Sequence, residues 1–328
     1  MFTKAFVTGG AGFIGSHVVD RLVSLGAPVV VYDNFSTGFR SYLAEHENAG
    51  RVAVVEGDVR DFEHLKDAMA GADAVFHFQA NADVRGGIRQ PRIDLEQNTI
   101  ATWNVAEAAR LQGVKTIVFA SSATVYGEPA KFPTPEDYAA EQTSLYGASK
   151  LAGEAMLQAY AEYYGIRCFI FRFVSWIGER YSHGVVFDFV AKLRSDPRRL
   201  EILGDGAQRK SYLYVTDGVD GIFTALERSA ALKNVFNLGH DEFIDVREVA
   251  TAILGALGLR EVALDFTGGV RGWLGDSPLV HLDTTAIKRL GWTPRTTIRE
   301  GIERTVRYLQ AHRELLARRA AWEDKLSG

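Results

Sequence analysis

The sequence predicts an α/β protein built on a doubly wound parallel sheet, and three observations carry that prediction. Short apolar runs alternate with helical patterns through the first half, the first run leads into a glycine-rich turn, and the second ends in an acid. Ala5–Thr8 and Pro28–Tyr32 have the length and composition of buried parallel strands. Between them, residues 13–25 repeat apolar side chains at helical spacing, and Gly26 is the stop signal. The alternation continues with strand 52–55, helix 62–69, strand 74–78, helix 93–111 closed by Gly113, and strand 116–120. Such units need crossover helices on both faces of one sheet. A long helix follows over 144–164, then a strand over 167–173. From about 175 onward the pattern breaks into short pieces separated by Gly178, Gly184, Gly204, Gly206, Gly239, Gly268 and Gly269. The expected division is 1–174 for the main domain and 175–328 for a smaller, mixed α/β region at its C-terminal side, some of whose segments return to the main sheet. The tail from Ile302 to Leu326 has a helical pattern with many arginines and reads as a solvated surface helix.

Composition excludes several function classes. The chain has 328 residues, 47% hydrophobic and 24% charged, enough for a sizeable core. A net charge of −4 offers no basic footprint for nucleic acid. The single cysteine, Cys168, rules out an internal disulfide and fits a reducing compartment. No histidine pair has zinc-like spacing, so no metal is expected. There is neither an N-terminal leader pattern nor an apolar stretch of ~18 residues. A soluble, cytoplasmic protein with no membrane contact is the expectation.

The first strand runs into Thr8-Gly9-Gly10-Ala11-Gly12-Phe13-Ile14-Gly15, which contains G-x-G-x-x-G and G-x-x-G-x-x-G. Glycine is required where a side chain would keep the backbone from a pyrophosphate, and the helix N-terminus behind the loop offers N–H groups and its dipole to that anion. Strand two is followed by Asp33, 18 residues after Gly15. A carboxylate there accepts hydrogen bonds from ribose hydroxyls and repels a 2′-phosphate, which favours NAD over NADP. Asp58, at the end of strand three, could meet an adenine amino group or cap the next helix.

Tyr146-Gly147-Ala148-Ser149-Lys150 lies in the long helix, so the phenol and the ammonium share one face, roughly 6 Å apart at Cβ. An ammonium at ~4 Å contributes about 4 kcal/mol at an effective dielectric of 20, near three pKa units as an upper bound. That would make a phenolate available to take a hydroxyl proton, as hydride transfer requires. The pair follows Ser121-Ser122-Ala123-Thr124-Val125-Tyr126-Gly127 by one βα unit, and that strand presents hydroxyls at its C-terminal end, where open α/β sheets bind ligands.

TGGAGFIGSH, YDNFSTG, GDVRD, HFQAN, SSATVYGE and YGASK, in this order and spacing, resemble the extended short-chain dehydrogenase/reductase family. Within it the chain is most similar to the NAD-dependent nucleotide-sugar epimerases and dehydratases, especially the UDP-glucose (UDP-galactose) 4-epimerases, from Phe2 to about Tyr308. The resemblance implies a Rossmann-like fold and an NAD site. Gly9, Gly12, Phe13 and Ile14 would carry the pyrophosphate, Asp33, Asn34, Ser36 and Gly38 the adenosine ribose, and Asp58 and Val59 the adenine. Phe78, Gln79, Ala80, Asn98, Ser121 and Phe173 would line the cofactor. Tyr146 would be the acid/base, Lys150 its partner and nicotinamide-ribose anchor, and Ser122 the hydroxyl bridging to the sugar. The implied reaction removes the C4 hydrogen as hydride, lets the 4-ketose turn over, and returns the hydride to its other face.

For the substrate the resemblance implies contacts from Val84, Ser122, Thr124, Tyr146, Ser175, His183, Gly184, Val185, Arg209, Lys210, Arg271, Asp276 and Val280. Related 4,6-dehydratases carry an Asp-Glu pair at the positions of Ala123 and Thr124, and glucuronate decarboxylases a Glu at Thr124; a methyl and a hydroxyl point to simple C4 oxidation and return. The chain departs from the family pattern at Ala82, often lysine, and at Ser175-Trp176, where asparagine is usual at Ser175. It departs again at Lys210-Ser211, usually Arg-Asp, and at Arg271-Gly272-Trp273-Leu274-Gly275-Asp276, with its arginine displaced. Val280 leaves room for an N-acetylhexosamine where hexose-specific relatives place a large side chain. Helices 93–111 and 144–164 pair into a homodimer in the family, and both have apolar residues to spare. The alternatives are epimerisation of UDP-glucuronate or of a GDP- or CDP-sugar, and a non-catalytic NAD-sensing protein of the same fold.

Overall fold

The computed structural model describes residues 2–81 and 83–317; Ala82 and the tail from residue 318 lie outside the described residues. The chain divides into two compact units. The first comprises Met1–Phe173, Val219–Leu238 and Asp283–Trp292, and the second comprises Val174–Gly218, Gly239–Leu282 and the chain from Thr293.

The first unit is organised by a parallel sheet of seven strands. Six of them are β1 (Ala5–Thr8), β2 (Val29–Asp33), β3 (Val52–Glu56), β4 (Ala74–His77), β5 (Thr116–Ser122) and β6 (Arg167–Phe173). The seventh, Lys233–Leu238, pairs with β6, and the order from that edge is Lys233–Leu238, β6, β5, β4, β1, β2, β3. The sequence reading assigned no strand there, because the polar residues of K-N-V-F-N-L interrupt the apolar run expected of a sheet strand. Every residue of β1, β2 and β4 is buried, as their apolar runs demand of strands covered on both faces. β1 lies between β2 and β4, with Thr8 level with Tyr32 and His77, so the chain winds away from β1 in both directions. The crevice at the C-terminal end of β1 is the switch point where such sheets bind ligands.

In the first half of the chain, the helix expected over 93–111 differs from expectation. The pattern over 93–111 is a helix interrupted by a π turn: Arg92–Asp94 is α-helical, Leu95–Ile100 is π and Ala101–Leu111 is α again. Such turns shift the register of inward-facing side chains, and here Asp94 and Asn98 are both buried and hydrogen-bonded to each other at 3.2 Å. The long helix is Leu145–Tyr164; the Ser144 hydroxyl caps it by accepting from the Gly147 N–H at 3.0 Å, and Gly165 ends it in the left-handed region.

A buried ionic network ties this helix to the sheet. Arg172 of β6 donates to Glu154 from Nη2 at 2.7 Å and from Nε at 3.0 Å, while its Nη1 reaches the Tyr126 hydroxyl at 2.8 Å and the Glu136 carbonyl at 2.7 Å. Tyr126 in turn donates to Asn237 Oδ1 at 2.7 Å, and Ser121 Oγ donates to Glu154.

The second unit is assembled from short pieces, as the dispersed glycines suggest. Ser175–Ile177 pairs with Tyr212–Tyr214, and Arg199–Ile202 with Ala263–Phe266. Arg209–Lys210 lies between Ile244–Asp245 and Leu279–Val280. Trp176 is buried against Gly218, a packing role for the aromatic that departs from the family pattern. Helix Ile298–Ala311 buries Ile298, Ile302, Val306 and Leu309 on one face, so this part of the arginine-rich tail is an amphipathic packing helix, not one solvated all round. Among the described residues no helix is long and apolar enough to cross a membrane.

Arg172→Met should lower stability to urea by about 3–5 kcal/mol, because it leaves the 1% exposed Glu154 carboxylate buried without its cation. The double variant Glu154→Leu/Arg172→Met should recover most of that loss. A single variant within about 0.5 kcal/mol of the parent would contradict the network's role.

Candidate active site

β1 delivers the glycine loop. Gly9 has φ +70°, and a Cβ there would lie 2.6 Å from the Gln79 backbone nitrogen, so the loop packs directly on the segment leaving β4. A Cβ on Gly15 would strike the Gly9 carbonyl, so the same absence of side chains lets the helix Phe13–Ser24 close on the loop. Asp33, at the end of β2, holds the loop from the other side. Its Oδ2 accepts from the Ala11 N–H at 2.9 Å and its Oδ1 from the Phe35 N–H at 2.9 Å. Burial raises the Asp33 carboxyl above its ordinary value, and these two N–H groups pull it back down. Gly38 packs on Ala11, and the Phe39 N–H donates to the Ala11 carbonyl at 2.9 Å. Ser36 donates its N–H to Asn34 Oδ1 at 3.1 Å.

Asp58 accepts from Arg60 Nε at 2.9 Å and Nη2 at 2.7 Å, and from Asn34 Nδ2 at 3.2 Å. The Arg60 hydrogen bonds hold it at about 2. Asp58 does not cap the following helix; Asp61 does, accepting from the His64 N–H. A cavity of about 430 Å³ beside it is lined by Asp58, Arg60, Glu96 and Ile100. Val59 is buried, and its carbonyl accepts from Asn104.

These residues fit a dinucleotide. No side chain caps the helix Phe13–Ser24 at Gly12, and its first turn contains no acid, as an anion at that terminus requires. Gln79 Oε1, beside Gly9, is a buried acceptor without a partner among the described residues. Phe78, Gln79, Ala80 and Ile14 retain partial access to solvent.

The long helix brings Tyr146 and Lys150 onto one face. Lys150 is 2% exposed, its ammonium nitrogen donates to the Ala120 carbonyl of β5 at 2.8 Å, and that nitrogen lies 5.9 Å from the Tyr146 ring centre and 4.9 Å from that of Phe119. Burial holds Lys150 down at about 7, with Asp94 and Glu154 acting to raise it. Burial also raises the Tyr146 phenol, and Asp94 adds to that rise. The sequence expectation of a phenol lowered by its lysine is therefore not met by the chain alone, because Lys150 is itself desolvated and turned to Ala120.

Ser122 and Thr124 lie at the end of β5. Ser122 Oγ accepts from the Thr124 N–H at 3.2 Å, and Thr124 Oγ1 is buried without a partner among the described residues. The start of the long helix abuts this turn, since a Cβ on Gly147 would lie 2.5 Å from the Thr124 carbonyl. Ser121, assigned to the cofactor from the sequence, is turned instead to Glu154, as alternation along a strand requires of the neighbour of Ser122. Phe173, also assigned to the cofactor, is buried level with Ser122, and Val84 is half-buried.

The sequence reading passed over two carboxylates that the structure places here. Glu154 is one turn beyond Lys150, and Asp94 lies four residues before Asn98; both spacings were visible. Asp94 Oδ1 accepts from Asn81 Nδ2 at 2.9 Å and Asn98 Nδ2 at 3.2 Å. Asn98 Nδ2 also donates to Ser149 Oγ at 2.9 Å, which donates to the Tyr146 carbonyl at 2.7 Å.

In the second unit, Lys210 and Asp276 form an ion pair at 2.6 Å, Arg271 Nη1 donates to the Asp276 carbonyl at 3.3 Å, and Val280 is level with Lys210 in the adjoining strand. Arg209, its neighbour in the strand, is exposed and lies over the Phe243 ring at 4.8 Å. Neighbouring side chains along a strand point to opposite faces, and Arg209 and Lys210 go to different partners. Gly184, with φ +95°, is the N-cap of helix Val185–Ser195, His183 stacks on Tyr181, and Ser175 is exposed.

The sequence signature of the family described as "NAD dependent epimerase/dehydratase family" matches residues 5–239. The chain belongs to that family. It is 36% identical to the UDP-glucose 4-epimerase of Mycolicibacterium smegmatis over 94% of this chain and 98% of that protein. Among solved structures it resembles a UDP-galactose 4-epimerase (39% identity, TM-score 0.84, 94% of this chain and 99% of that one). It also resembles the dTDP-glucose 4,6-dehydratase DesIV of Streptomyces venezuelae, solved with NAD (28% identity, TM-score 0.87, 95% and 98%).

Gly9→Ala should cut retention of NAD by at least about tenfold and destabilise the fold by about 1–3 kcal/mol, since the new methyl meets Gln79 in a left-handed backbone. Nucleotide released on denaturation, together with the melting temperature, measures both, and an unchanged nucleotide content would contradict the assignment.

Proposed function

We propose that this protein is an NAD-dependent nucleotide-sugar 4-epimerase acting on UDP-sugars of the glucose/galactose type, with room for N-acetylhexosamines. The observation that carries the reading is the Tyr146–Lys150 pair beside a strand end bearing Ser122, Ala123 and Thr124, with no second acid/base at 123 or 124. NAD, when bound, supplies the acceptor and then the donor of one hydride, along with a positive charge that favours the phenolate. Tyr146 takes the C4 hydroxyl proton at its phenolic oxygen and returns it after the ketone has turned. Ser122 holds the same sugar oxygen. Lys150 stabilises the phenolate and holds the nicotinamide ribose. Elimination of water needs a further proton transfer at the adjacent carbon, which a methyl and a hydroxyl do not supply.

Lys210 and Arg271 are the cations proposed for the diphosphate, with Asp276 positioning both. The protein is proposed to work in the cytoplasm as a homodimer through helices 93–111 and 144–164, with Leu95, Ile100, Trp103 and Leu111 of the first and Leu145, Tyr163 and Tyr164 of the second exposed. A monomeric mass at micromolar concentration would contradict that assembly, and recovery outside the soluble fraction would contradict the compartment.

Proton NMR of the protein with UDP-galactose, UDP-N-acetylgalactosamine or UDP-galacturonate, without reductant, should show a gluco-configured anomeric signal growing to a fixed ratio. No conversion of any of them would redirect the reading to GDP- or CDP-sugars or to a sensor. Tyr146→Phe should reduce turnover by about 10²–10⁴-fold while NAD stays bound, and an undiminished rate would remove Tyr146 from the mechanism. Val280→Tyr should suppress turnover of UDP-N-acetylglucosamine more than that of UDP-glucose; equal effects would refute the proposed breadth.

A further inference from the structure

Asp94 is 1% exposed, and the reaction as derived makes no use of it. Its Oδ1 takes both amide hydrogen bonds, from Asn81 and Asn98, and its Oδ2 is buried with no hydrogen-bond partner among the described residues. Asn98 bridges this carboxylate to Ser149, which in turn binds the Tyr146 carbonyl. One continuous chain of hydrogen bonds thus joins Asp94 to the helical turn that separates Tyr146 from Lys150. Glu154, the other buried carboxylate near Lys150, is in a different position: Arg172 neutralises it at 2.7 Å, whereas the groups bonded to Asp94 are neutral amides.

We infer that Asp94 is a positioning carboxylate of the catalytic pair, whose negative charge when ionised, held by Asn81 and Asn98, sets the pH range over which Tyr146 and Lys150 exchange protons. Burial, followed by Asp83, raises the Asp94 carboxyl itself, while Asn81, Lys150 and Asn98 act to lower it. The inference rests on the reading of Tyr146 as the acid/base. The groups facing Asp94 are Asp83 from the loop after β4, with Arg85 and Arg89 directed at Asp83, and Lys150 and Tyr146 from the long helix. Lys150 also faces Glu154, with its Arg172, and His77 at the end of β4, which burial holds neutral at about 3. A buried anion opposes ionisation of the phenol and favours the ammonium. It therefore raises both groups, and acts against the lowering that burial imposes on Lys150.

Asp94→Asn isolates the charge. The amide oxygen can accept from Asn81 and Asn98 as Oδ1 does, so those hydrogen bonds survive while the charge is lost and an NH2 group takes the place of the unpartnered Oδ2. Ultraviolet difference titration of the NAD-loaded enzyme, with Tyr146→Phe as the blank, should show the Tyr146 phenol ionising about half a unit to one unit lower in the variant. In the pH profile of epimerisation, both limbs should move to lower pH. A lower rate with both limbs and the phenol unmoved would reduce Asp94 to a structural residue and overturn the inference. The titration needs no substrate, so a shifted phenol without turnover of any sugar would sink the proposed function, and with it the catalytic role, while still showing that Asp94 controls ionisation of the Tyr146 phenol. If Asp94→Asn does not fold, Asp94→Ser, neutral and smaller, carries the same expected shift.

Discussion

An amine with almost no contact with water is the constraint around which the first unit is arranged. Lys150 has to be buried to stand beside Tyr146, and burial alone would drive off its proton. The surroundings answer this with the Ala120 carbonyl, the faces of Phe119 and Tyr146, and two buried carboxylates. Those carboxylates need partners of their own. Glu154 draws in Arg172, which draws in Tyr126 and Glu136, and Tyr126 then engages Asn237 on the edge strand. Asp94 draws in Asn81 and Asn98, the latter within the π turn. Much of the polar interior of this unit thus follows from one desolvated cation.

The fold was legible where one side-chain period ran uninterrupted. β1 to β6 and the long helix were each visible as an apolar run or a helical stripe, and their ends moved by only one or two residues. The strand Lys233–Leu238 escaped because its asparagines answer to tertiary partners: Asn237 bonds Tyr126 and the carbonyls of Thr134 and Asp283. The π turn escaped because a register change of one residue leaves the helical pattern on both sides intact.

The site was legible in its glycines, its acid and its tyrosine–lysine pair, each of which has a local geometric requirement. Less legible was how those groups spend their hydrogen bonds. Ser121 and Ser122 are neighbours of the same chemistry, yet one stabilises Glu154 and the other lies at the strand end. Likewise Arg209 and Lys210 are adjacent cations that go separately to an aromatic face and to Asp276. Only the phase of the strand separates them, and phase is set by pairing with distant residues.

Asp33 shows what such double use entails. Each of its oxygens already accepts one backbone N–H, from Ala11 in the glycine loop and from Phe35, which stands in the left-handed region. One acceptor position remains on each oxygen for a ribose diol. The residue proposed to discriminate between the two nicotinamide dinucleotides is thus also the clasp of the glycine loop proposed to carry their pyrophosphate. Redirecting this scaffold to the phosphorylated coenzyme by replacing that acid alone would loosen the cradle while opening the specificity. A useful exchange has to supply new acceptors for Ala11 and Phe35 together with a cation for the added phosphate.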